Sequence, residues 1–168
     1  RFAYASNYYA GYISYRKGDY AAAKEDLKIA EKNEAYARIV PYMITEILYK
    51  ENDIYEVIRY GESALAKKPE VQQRDEIALL VGDAYYQRAE YKTAEKYFSQ
   101  YAQGKRSLDP VVQYKIAFTD YKNNNYKNAI ANFKEVALKK DALGQNAAYY
   151  LGLSYLKEDN KQFALTAF

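Results

Sequence analysis

The chain has no cysteine, no histidine and no tryptophan, and only one methionine, three prolines and seven glycines in 168 residues. Without cysteine no disulfide braces the fold, which suits an oxidising compartment where stray thiols are a liability but is common elsewhere too. Without cysteine and histidine the commonest metal ligands, the usual general base and the best nucleophile are missing. The acids that remain are scattered over helix surfaces. Ser154 follows Gly152-Leu153, but no glycine stands two residues further on, so there is no nucleophile elbow. The glycines are isolated, so there is no phosphate-cradling loop. The chain reads as non-enzymatic, with no cofactor and no metal. No side chain of ordinary pKa titrates between about pH 6 and 8, so stability and affinity are expected to be nearly flat there.

An excess of one charge is also lacking. Lysine and arginine number 25 against 22 acids, a net charge of +3, and the signs alternate along the chain. That gives no basic face for nucleic acid and no acidic tail. The longest apolar run is far short of a membrane span, so no direct insertion is expected. There is no initiator methionine, no signal-peptide pattern at Arg1, and the sequence stops inside an expected helix at Phe168. It reads as a fragment of a longer protein, and the missing targeting segment leaves the compartment open.

What the chain has in abundance is tyrosine, 22 residues, set in a repeat. Ala78, Val81, Gly82 and Tyr85 fall at i, i+3, i+4 and i+7, one face of a helix, and Tyr91, Ala94, Phe98 and Tyr101 make a second. With a short polar break between them these form a helical hairpin. The hairpin recurs. Gly11 with Tyr20, Ala23, Leu27 and Ala30 is one copy, and Thr45 with Ile54, Val57, Gly61 and Ala64 is the next. Ala117 with Tyr126, Ala129, Phe133 and Val136 follows, then Gly152 with Lys161, Ala164 and Phe168. The small residues 11, 45, 82, 117 and 152 are separated by 34, 37, 35 and 35 positions. A period near 34 marks a solenoid of helical hairpins.

These residues resemble the tetratricopeptide repeat (TPR) family: a small residue in the first helix, a Gly-Asp-Tyr-like turn, then an alanine and an aromatic in the second. Gly18-Asp19-Tyr20 with Ala23, and Leu151-Gly152 with Tyr155, Ala164 and Phe168, carry the match best, and Pro69 falls where the family often ends a repeat. The resemblance implies an all-α fold, an α-solenoid of stacked antiparallel helix pairs in a right-handed superhelix, with about nine to ten helices. A single domain is expected over residues 1–168, in repeats of about 4–34, 35–70, 71–107, 108–141 and a partial 142–168. Gly61 departs from the pattern, standing where a large residue is usual. Gln113 and Asp120 stand on a face that should be apolar, so the fourth hairpin is expected to pack less tightly.

Local signals place the helix ends. Pro41 lies within the third helix, which either starts late, near Ile39 or Val40, or bends there. Asp53 with Glu56 reads as a capping box. Gly104–Ser107 reads as the longest linker, ending in Asp109-Pro110, an N-cap followed by a first-turn proline. Residues 141–144 read as a loop or a frayed first turn.

Many tyrosines fall on packing faces, but a second stripe runs one residue further round each first helix. It comprises Tyr8, Tyr12, Tyr15; Tyr42, Glu46, Tyr49; Leu79, Asp83, Tyr86; Tyr114, Phe118, Tyr121; and Tyr149, Leu153. Beside it lie Arg16, Lys50, Lys122 and Lys157. The family resemblance implies that these first helices line a concave groove, with the cations on its rim. Tyrosine offers large area and a hydroxyl at low entropy cost, as binding sites require. The expected function is therefore a scaffold for a protein or peptide of acidic character. The family's clamp for a chaperone's C-terminal carboxylate is not matched, because Tyr12, Glu46 and Asp83 occupy the donor positions. The alternative is a structural spacer, or a module that self-associates through the ends of the stack, within a larger multi-repeat protein. Tyr-, Asn- and Lys-rich repeats of this sort look like the long TPR arrays of bacterial cell-envelope proteins.

Overall fold

A computed structural model describes residues 2–167. It contains α1 (Phe2–Lys17), α2 (Tyr20–Ala30), α3 (Val40–Lys50), α4 (Ile54–Leu65), α5 (Arg74–Gln87), α6 (Tyr91–Ala102), α7 (Pro110–Lys122), α8 (Tyr126–Val136), α9 (Ala142–Lys157) and α10 (Lys161–Ala167). No strand is present among the described residues. Two compact units divide within α5, the first ending at Ala84 and the second beginning at Tyr85.

Every hairpin turns in the same way. Gly18, Asn52, Ala89, Asn124 and Asp159 hold φ of 81°, 58°, 59°, 63° and 56°, the left-handed region. They recur at the same steps as the small residues. Around each, two backbone bonds close the first helix: Asn52 N–H donates to the Tyr49 carbonyl at 3.0 Å and Asp53 N–H to the Leu48 carbonyl at 3.0 Å. The same pair forms at 18/19, 89/90, 124/125 and 159/160. This is the Schellman closure, which satisfies the carbonyls left open at a helix end. Glycine or asparagine fits the left-handed position with little strain; Ala89 is the residue least suited to it.

Caps open the next helices. Asp19, Asp53, Asp109 and Asp141 accept from the backbone N–H groups of Ala22, Glu56, Val111 and Gly144, the last at 3.0 Å. Asp141 thus begins α9 outright, with no frayed turn. Pro41 sits in the first turn of α3, which starts late and does not bend. Only half of the capping box forms, since the Glu56 carboxylate turns to Arg59 at 2.5 and 2.7 Å. The connection from α2 to α3, nine residues from 31 to 39, is longer than the one after α6.

In the first unit α1 packs on α2, α2 on α3 and α3 on α4. Its core holds Ala23, Leu27, Ala30, Val40, Ile44, Ile47 and Val57, all fully buried. Gly61, the departure from the family pattern, is filled from across the seam: a Cβ there would lie 2.4 Å from Val81 Cγ2. In the second unit α6 to α10 pack in sequence, and α7 also meets α9. Ala117, Ala129, Phe133, Val136 and Ala147 form its core. Each buried Leu, Ile, Val or Phe of these cores contributes about 1.5–3 kcal/mol. Ala164 of the last copy is buried as well; Phe168 lies outside the described residues.

Candidate functional site

The stripe positions are filled differently in the two units. In the first, α1 contributes Tyr8, Tyr12 and Tyr15, whose rings succeed one another at 6.4 and 6.5 Å. The Tyr15 hydroxyl donates to Glu46 on α3. Glu46 holds Lys50 at 3.2 Å, one turn on, and the Lys50 ammonium stands 5.8 Å from the Tyr15 and Tyr20 ring centres. One repeat later the Tyr49 hydroxyl donates to Asp83 on α5. A tyrosine of one first helix therefore holds a carboxylate of the next first helix, twice in succession.

The electrostatics follow from this. Burial, then the bond to Glu46, pushes the Tyr15 phenol well above its usual range. Tyr42 is pushed up to about 12 by burial and by the charges of Glu46 and Glu76. The hydrogen bond with Glu46 raises Lys50. All three hold their ordinary charge state at neutral pH. Asp83 is buried, Leu79 half-buried and Tyr12 exposed.

In the second unit the position of Glu46 and Asp83 is taken by Phe118 and Leu153. An aromatic cluster replaces the hydrogen bonds. Phe118 meets Tyr86 at 5.9 Å and Tyr150 at 4.9 Å edge-on, stacks with Tyr114 at 6.2 Å and lies tilted to Tyr121 at 6.5 Å. Tyr149 adjoins Tyr150 at 5.4 Å and is 52% exposed. Lys122 lies 5.5 Å from the Tyr91 ring centre and 5.9 Å from that of Phe118, and Lys115 lies 5.8 Å from that of Tyr86. Burial raises Tyr114 and Tyr121, with neighbouring phenols adding to it. Leu153 is half-buried; the rim residues Arg16, Lys50, Lys122 and Lys157 are all exposed.

Two rings central to these faces were not on the stripe. Tyr36 stacks on Tyr8 at 4.6 Å, from the long connection before α3. Tyr150 touches Tyr114, Phe118, Tyr121 and Phe133. Its signal in the sequence is the Tyr149-Tyr150 pair, of which only Tyr149 falls on the stripe.

The expectation of no titration near neutrality fails at one residue. Asp120 is 6% exposed, and its carboxyl is pushed up to about 7, by burial and then by the Glu95 charge, with the Asn132 amide acting in the opposite sense. Gln113, the other polar departure, is satisfied by donating to Glu135 at 2.7 Å. Beside Asp120 a cavity of about 220 Å³ lies between α6, α7 and α8.

No family model matches the sequence, and no curated protein does. Solved structures match along almost its whole length. "MamA MSR-1 C2" aligns with a TM-score of 0.71 at 17% identity, covering 100% of this chain and 94% of that one. A MamA AMB-1 structure aligns at 0.76 and 18%, over 98% of this chain and 87% of that one. A Rap protein complexed with competence and sporulation factor aligns at 0.55 and 19%, over 98% of this chain and 52% of that one. At such identities the likeness shows the fold: a TPR-like, all-helical solenoid of ten described helices. No described helix is long and apolar enough to cross a membrane.

Proposed function

We propose that the chain is a non-catalytic scaffold that binds a protein or peptide, and that the aromatic face of the second unit is the seat of binding. The observation that carries this is the exposed edge of the Tyr114–Phe118–Tyr121–Tyr149–Tyr150 cluster with Lys122 against it. Such rings give large contact area at small entropic cost, and anchors of this kind commonly contribute about 2 kcal/mol or more each. Lys115 and Lys122 favour a partner segment with acidic as well as apolar residues. The Rap structure complexed with competence and sporulation factor supports the use of this fold for binding. In the first unit the equivalent tyrosines Tyr15 and Tyr49 are engaged with Glu46 and Asp83, so that face is proposed as the weaker one.

Selection of random twelve-residue peptides displayed on phage against the whole chain tests the proposal. Acidic-aromatic sequences should be enriched, and should lose binding to a Tyr121→Ala, Tyr149→Ala variant that keeps its helix content. Enriched peptides that bind this variant as well as the parent would overturn it. The second reading, self-association, is favoured by Phe163 and Leu165 on α10, which are 54% and 80% exposed. It predicts a mass by light scattering that rises with concentration and falls back to the monomer value with Leu165→Glu.

A further inference from the structure

The cavity of about 220 Å³ lies wholly within the second unit, between α6, α7 and α8. Its walls are apolar at Phe98, Ala102 and Ile116 and polar at Glu95, Asp120 and Asn132. Asp120 is nine-tenths buried, and among the described residues its carboxylate receives one hydrogen bond, from Asn132 Nδ2 at 3.4 Å, the long limit for such a contact. The neighbouring polar groups are better served. Glu95 accepts from Asn123 Nδ2 at 2.7 Å, and the Thr119 hydroxyl donates to the Lys115 carbonyl at 2.8 Å. No lysine or arginine lines the cavity. The groups that face Asp120 are Glu95 from α6 and, from α8, the amide of Asn132. A buried carboxylate beside a second carboxylate, with no cation and one long bond, is an incomplete arrangement.

We propose that this cavity binds a protonated primary amine carried on a short apolar body. The ammonium lies between Asp120 and Glu95, donating to the under-bonded Asp120 carboxylate, and the body lies along Phe98 and Ile116. An anion is excluded by the two carboxylates. A metal ion is disfavoured because no group of three Asp or Glu residues converges among the described residues. The volume is that of roughly seven waters at about 30 Å³ each, room for a ligand the size of benzylamine. The amine can be a free small molecule or a lysine side chain of a partner protein.

The test is a titration of the isotope-labelled full chain, followed by NMR at pH 8, with benzylamine, with benzyl alcohol as its neutral match, and with a Gly-Lys-Gly peptide blocked at both ends. Benzylamine should shift the resonances of Phe98, Ile116 and Asn132 and bind at least tenfold more tightly than the alcohol. Asp120→Asn should abolish that preference and leave the alcohol unaffected. Lowering the pH to 5.5, where the amine keeps its charge and Asp120 takes up a proton, should weaken the amine at least several-fold. Ala131→Phe, at an exposed position on the cavity wall, should block entry with helix content unchanged. If the blocked peptide matches or exceeds benzylamine, the occupant is a protein side chain; if benzylamine alone binds, it is a free amine. Equal binding of amine and alcohol, amine binding indifferent to Asp120→Asn, or no shift at these residues would each overturn the proposal.

Discussion

In the first unit the residues after the small positions are Tyr12, Glu46 and Asp83; in the second they are Phe118 and Leu153. The backbone is the same in both, down to the left-handed residue of each turn. What changes is how successive first helices are tied. In the first unit a phenol of one helix holds a carboxylate of the next. In the second, Tyr86 and Tyr150 meet Phe118 edge to face and Tyr121 lies tilted to it. The position accepts either solution, because a satisfied carboxylate and an aromatic both fill the seam. The hydrogen-bonded version engages Tyr15 and Tyr49, whereas the aromatic one leaves Tyr149 half in solvent. Two buried aspartates sharpen the contrast. Asp83 receives the Tyr49 hydroxyl, while Asp120 receives one long amide bond.

The largest effect should come from that last difference. Asp120 is pushed up to about 7 in the folded chain, against about 3.9 for an unfolded aspartate. Its folded-state pKa is raised, so its contribution is fully present below about pH 4. It is lost as the pH rises through about 7, and it levels off above that. A three-unit shift corresponds to up to about 4 kcal/mol. Urea unfolding of the parent minus Asp120→Asn, followed from pH 4 to 8, should show a difference declining across that window. A flat difference would remove the distinction between the two aspartates.

Phe118→Ala should cost about 3 kcal/mol by urea unfolding, since it removes the ring shared by Tyr86, Tyr114, Tyr121 and Tyr150. Tyr49→Phe strips Asp83 of its phenolic donor and should cost about 1–3 kcal/mol. Tyr15→Phe should cost less, about 1 kcal/mol, because Lys50 still pairs with Glu46 at 3.2 Å. If Tyr49→Phe proved neutral, the phenol–carboxylate tie would not be what joins the first helices. The smallest effect is a gain. Ala89→Gly, at φ 59°, should stabilise by up to about 1 kcal/mol, visible as a higher urea midpoint with an unchanged slope.

The periodicity of small residues was enough to read the fold. Gly11, Thr45, Gly82, Ala117 and Gly152 are all buried, and the left-handed turn residues repeat with their spacing. Helix ends followed where chemistry is local, as at Pro41 and at Asp109-Pro110. The stripe was legible as a list of positions but not as two kinds of surface. Its ties run from Tyr15 to Glu46 and from Tyr49 to Asp83, 31 and 34 residues apart, whereas helical periodicity reports neighbours only three or four apart. Tyr150 escaped because it faces α7, a neighbour in space that its own helix does not reveal. Asp120 was visible as a polar residue on an apolar face. The charge of Glu95 beside it, brought from α6, was not.

The central claim is that the second unit's aromatic face binds while in the first unit Tyr15 and Tyr49 are tied to Glu46 and Asp83. Calorimetric titration of one selected acidic-aromatic peptide into three proteins tests it most directly: the parent, Tyr121→Ala with Tyr149→Ala, and Tyr8→Ala with Tyr12→Ala. Two lost anchors correspond to roughly a hundredfold or more in affinity, so the first variant should bind at least about a hundredfold more weakly and the second within about threefold of the parent. A peptide that loses its affinity for the Tyr8, Tyr12 variant, or that binds all three proteins alike, would contradict the claim.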